Sequence, residues 1–181
     1  MTPSPEVRAA MLAALPSLRA FAISLTYNVD AADDLVQDTI VRAWSNIDRF
    51  QPGTNINAWL FTILRNLFLS GCRQARREVE DVDGSYAGQL RTPPDQSGKC
   101  DLQDMLRALA KLSVEQREAL VLIAAEGMCY EEAAQICAVP VGTIKSRVSR
   151  ARERLAELLA INDAEDLGPD RVMQAVLQSA S

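Results

Sequence analysis

Histidine is missing from this chain altogether. Its absence removes imidazole acid–base chemistry and the commonest nitrogen ligand of protein metal sites. Cysteine is sparse. Cys72, Cys100, Cys129 and Cys137 form no Cys-x-x-Cys pair, so a zinc site is not expected. The thiols read as reduced and structural in a cytoplasmic protein, with Cys100, in a polar stretch, as the one candidate for a redox switch. No apolar run approaches the roughly 18–20 residues that a membrane span needs. Glu6, Arg8 and Arg19 interrupt the N-terminal stretch, which argues against a signal peptide. The sequence has no internal repeat, no glycine-rich phosphate loop and no nucleophile elbow. An enzyme reading therefore has no constellation behind it, and no cofactor, metal, membrane or small-molecule substrate is implied.

What is present describes a globular protein. The 181 residues are 48% hydrophobic and 24% charged, enough for one large or two small domains. The net charge of −5 argues against a protein that coats nucleic acid indiscriminately. The charge is uneven, however. Residues 141–160 hold five cations (Lys145, Arg147, Arg150, Arg152, Arg154) against Glu153 and Glu157. Residues 78–100 hold five acids (Glu78, Glu80, Asp81, Asp83, Asp95) against Arg91 and Lys99. Separate blocks of opposite sign suggest surfaces that meet different partners.

The basic block lies in the stretch from Tyr130 to Leu159, which reads as two helices joined by a short turn. Tyr130 to Ala138 forms the first, with Ala133, Ala134 and Ile136 as contact residues, and Pro140 is expected to interrupt it. The second opens at Val141. Val141, Ile144, Val148, Ala151, Leu155 and Leu159 recur at three and four and make one apolar stripe. The opposite face carries Gly142, Thr143, Ser146, Ser149, Arg150 and Glu153, flanked by Lys145 and Arg152 on one side and Arg147 and Arg154 on the other. Short polar side chains with cations at an exposed helix start suit a major-groove reader. The alternative is a solvated basic helix on an ordinary bundle.

Upstream, residues 5–28 form a helix or a kinked pair, with the kink at Pro16 and an apolar face of Leu12, Leu15, Leu18, Phe21, Ala22 and Leu25. Asp30 is expected to cap the next helix, whose core side is Leu35, Ile40, Val41, Ala43, Trp44 and Ile47. Asp33, Asp34, Gln37, Asp38 and Arg42 project outward, either as dipole-favoured solvation or as a protein-docking face. Gln51 to Asn55 is a Pro-Gly loop. A third helix runs from Ile56 to Arg77. It is apolar at Trp59, Leu60, Phe61, Ile63, Leu64, Leu67 and Phe68, with Arg65, Asn66, Ser70, Arg73, Arg76 and Arg77 interspersed. This is either a core helix with a cationic end or a surface for unstacked single-stranded bases. Residues 78–100 read as a linker. Beyond it, a helix spans 101–112. Ser113 with Gln116 forms a capping box for VEQREALVLIAAEG, which stops at Gly127. The chain thus divides into domains 1–77 and 101–160, the linker 78–100 and a tail 161–181. The fold class is all-α: two small helical domains joined by a flexible linker.

DAADDLVQDTIVRAW, AWLFTILRNL and YEEAAQICAVPVGTIKSRVSRARERL, in this order and spacing, resemble a bacterial sigma factor of the extracytoplasmic-function (ECF) group. FAISLTYNVDAADDLVQDT and EGMCYEEAAQICAVPVGTIKSRVSRAR are most similar to the EcfG-type factors of the alphaproteobacterial general stress response. The resemblance implies a sigma region 2 in which Asp33, Asp34, Gln37, Asp38, Arg42 and Trp44 dock on the beta-prime clamp of core RNA polymerase. Gln51, Pro52, Gly53, Thr54 and Asn55, with Arg65, Asn66, Ser70, Arg73, Arg76 and Arg77, would open and read the −10 element. In region 4, Thr143, Lys145, Ser146, Arg147, Ser149, Arg150 and Arg154 would contact the −35 element, and the beta flap would be a second polymerase contact. The partners implied are core polymerase, promoter DNA and a NepR-like anti-sigma factor. The competing reading is a sigma-like decoy that sequesters an anti-sigma factor. Such adaptors carry a receiver domain, and this chain has no segment alternating strand with helix.

Overall fold

The computed structural model describes residues 4–81, 105 and 107–159. The described residues are helical, with no strand among them. Helix α1 (Pro5–Ala13) is capped by Ser4, whose Oγ accepts from the Val7 amide at 3.3 Å. Proline at its first position lacks an N–H that the helix would leave unused there. Helix α2 (Leu15–Thr26) meets α1 at 42°; Pro16 sits in its first turn and makes the expected break. Met11 and Ala14 face inward, whereas Leu12, expected on the apolar face, is 58% exposed. Tyr27 takes a left-handed conformation (φ 52°) and ends α2.

The cap of α3 (Val29–Ser45) is Asn28, not the expected Asp30. The Asn28 carboxamide oxygen accepts from the Ala31 amide at 3.0 Å, and Asp30 lies inside the first turn. The buried residues of α3 are small: Ala32, Thr39 and Ala43. They let α3 lie close to its neighbours, and the Thr39 hydroxyl is satisfied by donating to the Leu35 carbonyl at 2.7 Å. The expected core residues Val41 and Trp44 instead face out, at 60% and 41% exposure.

Helix α4 (Ile56–Asp81) is the long axis of the first half. Leu60, Phe61 and Leu64 are fully buried on it, each stabilising the fold by about 1.5–3 kcal/mol. Phe61 meets Phe21 edge-on at 5.1 Å. The helix continues four residues past the expected linker boundary at 78, and residues 82–100 lie outside the described set.

In the second half, residue 105 and residues 107–110 are helical and form the described part of α5, expected over 101–112; residues 101–104 and 106 lie outside the described set. Ser113 and Gln116 make the expected capping box on α6 (Val114–Leu120). The helix then widens into a π turn (Val121–Ala125) and stops at Gly127, which has φ 64°. Helix α7 (Tyr130–Cys137) starts in a box in which the Cys129 thiol takes the place usually held by serine. It ends at Ala138 in a left-handed conformation, two residues ahead of the proline expected to break it. Pro140 instead precedes α8 (Val141–Leu159). The buried side chains of both halves form one apolar cluster, with α7 against α4 and α6 against α2.

No single described helix is long and apolar enough to cross a membrane. The α1–α2 pair has the length and composition, but Leu18, Phe21 and Ala22 are spent on the core. The expected tail 161–181 lies outside the described residues.

Candidate nucleic-acid and polymerase interfaces

Helix α8 divides its two faces as its periodicity requires. Ile144, Val148, Ala151 and Leu155 are buried, while Gly142, Lys145, Ser146, Ser149, Arg150 and Arg154 are exposed. Thr143 is half-buried at the first turn. Nothing crowds Gly142 within 4 Å, so the start of the helix is open. Lys145 lies 5.7 Å from the centre of the Tyr130 ring. The Ser149 hydroxyl donates to Glu153 at 3.0 Å, and Arg154 donates to Glu157 at 2.7 Å. Arg150 has no such partner among the described residues. It is the cation on this face most available to a ligand.

Arg147 departs from the exposed set. It is half-buried and leans on Glu118 of α6, with Nη1 at 3.5 Å from Oε1. Arg65 of α4 turns toward the same carboxylate. Its Nε donates to Oε2 at 2.7 Å and its Nη2 to Oε1 at 3.0 Å. Burial opposes the Arg65 charge, but the hydrogen bonds and charge of Glu118 outweigh it and hold the guanidinium above its ordinary range.

The loop before α4 is a tight turn. The Thr54 amide donates to the Gln51 carbonyl at 3.2 Å, Pro52 precedes Gly53, and Gly53 has φ 90°. That is the residue order a type II turn requires, because its third position needs positive φ. Gln51, Pro52, Gly53, Thr54 and Asn55 are all exposed. Asn55 nevertheless makes contacts in two directions. Its oxygen accepts from the Asn57 and Ala58 amides, which starts α4, and its nitrogen donates to Glu132 of α7 at 2.7 Å. Further along α4, Asn66, Ser70, Arg73 and Arg77 are exposed, and Arg73 folds back onto the Leu69 carbonyl at 3.2 Å. The side chain of Arg76 lies outside the described set.

On α3 the acidic face is mixed with apolar surface. Asp33 is engaged by Arg19 at 2.6 Å, and this hydrogen bond holds its carboxyl below the usual carboxylate range. Asp34, Gln37, Asp38 and Arg42 are exposed beside Val41 and Trp44. Asp38, Val41, Arg42, Ser45, Asn46 and Leu67 line an open depression of about 370 Å³. Val41 and Trp44 lie on the surface although they read as core, because hydrophobicity alone does not separate a buried face from an exposed apolar one.

Sequence reasoning missed Glu118, Arg117 and Tyr27. Arg117 is buried with its guanidinium 4.3 Å from the centre of the Tyr27 ring, and burial lowers its pKa. No local pattern in the sequence marks any of these residues.

Cys137 is buried, and its thiol is pushed up to about 12, first by burial and then by the neighbouring Glu118 carboxylate. Cys72 is exposed, and partial desolvation by its neighbours raises its thiol as well. Both are held as thiols, which makes them poor nucleophiles.

The described residues thus combine a helix–turn–helix with a helical bundle whose α3 exposes carboxylates beside Val41 and Trp44. Residues 11–78 match Sigma-70 region 2, and residues 102–155 match Sigma-70 region 4. The chain is 58% identical, over 95% of its length and 95% of the relative's, to the ECF RNA polymerase sigma factor EcfG of Rhodopseudomonas palustris (strain TIE-1). It belongs to the ECF sigma factor family: it binds core RNA polymerase and directs initiation at promoter DNA. The fold is similar to the sigma factor RpoE of Bartonella quintana, crystallised in complex with the anti-sigma factor NepR. That match has TM-score 0.78 and 53% identity, and covers 87% of this chain and 99% of that one. A score that high over that length requires both halves to superpose together. CnrH, solved in complex with the cytosolic domain of CnrY, is 30% identical with TM-score 0.57, covering 87% and 88% of the two chains.

Proposed function

We propose that the chain reads the −35 element with the exposed face of α8, and that Arg150 is its principal base-reading cation. The observation that carries this reading is the division of α8: an apolar stripe buried from Ile144 to Leu155, and opposite it a run of small polar residues around an arginine with no partner among the described residues. Thr143, Lys145, Ser146, Ser149 and Arg147 complete the contact, and Arg154, a turn further on, meets phosphate. The loop Gln51–Asn55 with Arg65, Asn66, Ser70, Arg73, Arg76 and Arg77 opens and holds the −10 strand. Asp33, Asp34, Gln37, Asp38, Arg42 and Trp44 dock on the beta-prime clamp, where Val41 and the depression beside Asp38 supply apolar area. An acidic stretch at 78–100 links domains 1–77 and 101–160. The protein acts as a cytoplasmic specificity subunit and not as an enzyme, it serves stress-response genes, and an anti-sigma factor of the NepR kind restrains it. The likeness to EcfG and to a chain crystallised with NepR supports the last two points.

The test is a gel shift with a −35 duplex, paired with in vitro transcription using core enzyme. Arg150→Ala is expected to weaken binding by about 1–3 kcal/mol and to relax base preference at one position. Arg154→Ala is expected to lower affinity evenly across sequences. Unchanged affinity and unchanged preference for Arg150→Ala would overturn the assignment.

A further inference from the structure

Glu118 is 1% exposed in the middle of α6. A carboxylate so deeply buried is costly unless it is paired and hydrogen-bonded. Its partners come from two other helices. Arg65 of α4 grips it with two hydrogen bonds, at 2.7 and 3.0 Å, and Arg147 of α8 approaches it at 3.5 Å. The arginine side chains are themselves only 12% and 22% exposed. One carboxylate therefore holds one cation assigned to the −10 element and one assigned to the −35 element.

Two further polar contacts cross between the halves. Asn55, in the −10 loop, donates to Glu132 at the start of α7. Arg117, the residue before Glu118, lies over the ring of Tyr27 at the end of α2. The first helix of the helix–turn–helix packs along the helix that carries the −10 groups. In this arrangement Arg65 and Asn55 are hydrogen-bonded across the halves, while Arg147 makes an ion pair with Glu118 inside its own half, its Nη1 atom without a hydrogen-bond partner.

We propose that Glu118 is an autoinhibitory latch, which closes the two halves on each other in the free chain and withholds Arg65 and Arg147 from promoter DNA. This inference rests on the −10 and −35 assignments made above. The energetics suit a latch that yields. A buried ion pair roughly breaks even against its desolvation cost. The Arg117 Nε and Nη1 atoms are buried without a hydrogen-bond partner, and that is an added cost of the closed state. Closure is therefore held by a modest margin, and DNA phosphates, which compete for the same guanidiniums, can tip it. Opening frees Arg65 and Asn55, whose partners Glu118 and Glu132 lie on the other half; Arg147 shares a half with Glu118 and is released only when the carboxylate charge itself is lost.

The experiment compares the full-length wild type with Glu118→Gln, which keeps the side-chain shape and removes the charge. Circular dichroism checks that each variant is helical. Small-angle scattering then gives the radius of gyration, and fluorescence anisotropy gives affinity for a −35 duplex in the absence of polymerase. The expected result is a larger radius and at least fivefold tighter duplex binding for Glu118→Gln, with transcription at saturating core enzyme changed less than twofold. If Glu118→Gln does not fold, Tyr27→Leu removes the cation–π contact from the other side and is expected to enlarge the radius by a smaller factor, with duplex binding within twofold of wild type because Arg147 keeps Glu118 on its own half. An unchanged radius in the folded variant overturns the latch, and so does a Glu118→Gln chain that expands but binds the duplex no better. Adding Arg150→Ala to Glu118→Gln separates the two ideas, because Arg150 lies outside the latch. If that addition leaves duplex binding unaltered, the −35 assignment has failed, and the latch as stated falls with it; if binding drops, the assignment stands and the radius and affinity of Glu118→Gln alone judge the latch.

Discussion

Single residues in this protein carry charge into places where charge is expensive, and Glu126 is a case separate from the latch. It follows the π turn, is half-buried, and its Oε1 atom has no hydrogen-bond partner among the described residues. Burial raises its pKa, and Ser17 works in the opposite direction without cancelling the effect. The folded state therefore binds its proton more tightly than the unfolded state does. As pH rises from the unfolded carboxylate range through the raised folded value, the unfolded chain loses the proton first, and stability falls. Above that window the penalty is fully present; below it, both states are protonated and the penalty vanishes. Glu126→Gln is thus expected to melt at a higher temperature than wild type at pH 7, with the difference disappearing near pH 3.5. Calorimetric melting across that range checks it, and a constant difference at every pH would show that the gain is not electrostatic.

At the scale of the helix, α8 and α4 show what a sequence reveals and what it conceals. The period of three and four in α8 places Ile144, Val148, Ala151 and Leu155 inward and Arg150 outward, as found. The stripe is legible because its residues are large, apolar and regularly spaced. The inward face of α3 is not legible, because Ala32, Thr39 and Ala43 carry little hydrophobic signal while the outward Val41 and Trp44 carry much. Arg65 is a different kind of case. Its partner lies 53 residues away, and no local rule connects the two positions. Helix α4 also separates stability from function along its own length. Phe61 is fully buried against Phe21, so Phe61→Ala is expected to cost about 3–5 kcal/mol in denaturant unfolding. Asn66, on the exposed face, behaves oppositely. Asn66→Ala is expected to stay within about 0.5 kcal/mol of wild type while impairing strand opening in permanganate footprinting. A pre-melted −10 bubble is expected to rescue it, and a failure to rescue would remove Asn66 from the opening step.

For the molecule as a whole, the arrangement of the two halves links its partners to one another. The closed form shares its overall placement of both halves with a sigma factor crystallised with NepR. If the proposed anti-sigma partner bridges the halves, its site is complete only when they are packed together. Anything that opens the chain then reduces the fraction of molecules able to bind it. The apparent dissociation constant scales inversely with that fraction. A drop in closed population from near unity to about one tenth costs about tenfold in affinity. The −35 duplex is expected to respond to Glu118→Gln with the opposite sign, because loss of that carboxylate charge also frees Arg147. Glu118→Gln is therefore expected to weaken an anti-sigma protein of the NepR kind, by releasing Arg65 and opening the halves, and to strengthen the −35 duplex, by releasing Arg147, with no contact of its own to either ligand. Two substitutions on the proposed docking face of α3, Asp34→Lys and Asp38→Lys, provide the contrast: they are expected to weaken core polymerase while leaving duplex binding by the free chain unchanged. Calorimetry with a NepR-type protein and duplex titrations on the same preparations measure both signs. Equal anti-sigma affinity for wild type and Glu118→Gln, with the duplex response intact, would mean that the inhibitor recognises a single half and that closure and inhibition are separate events.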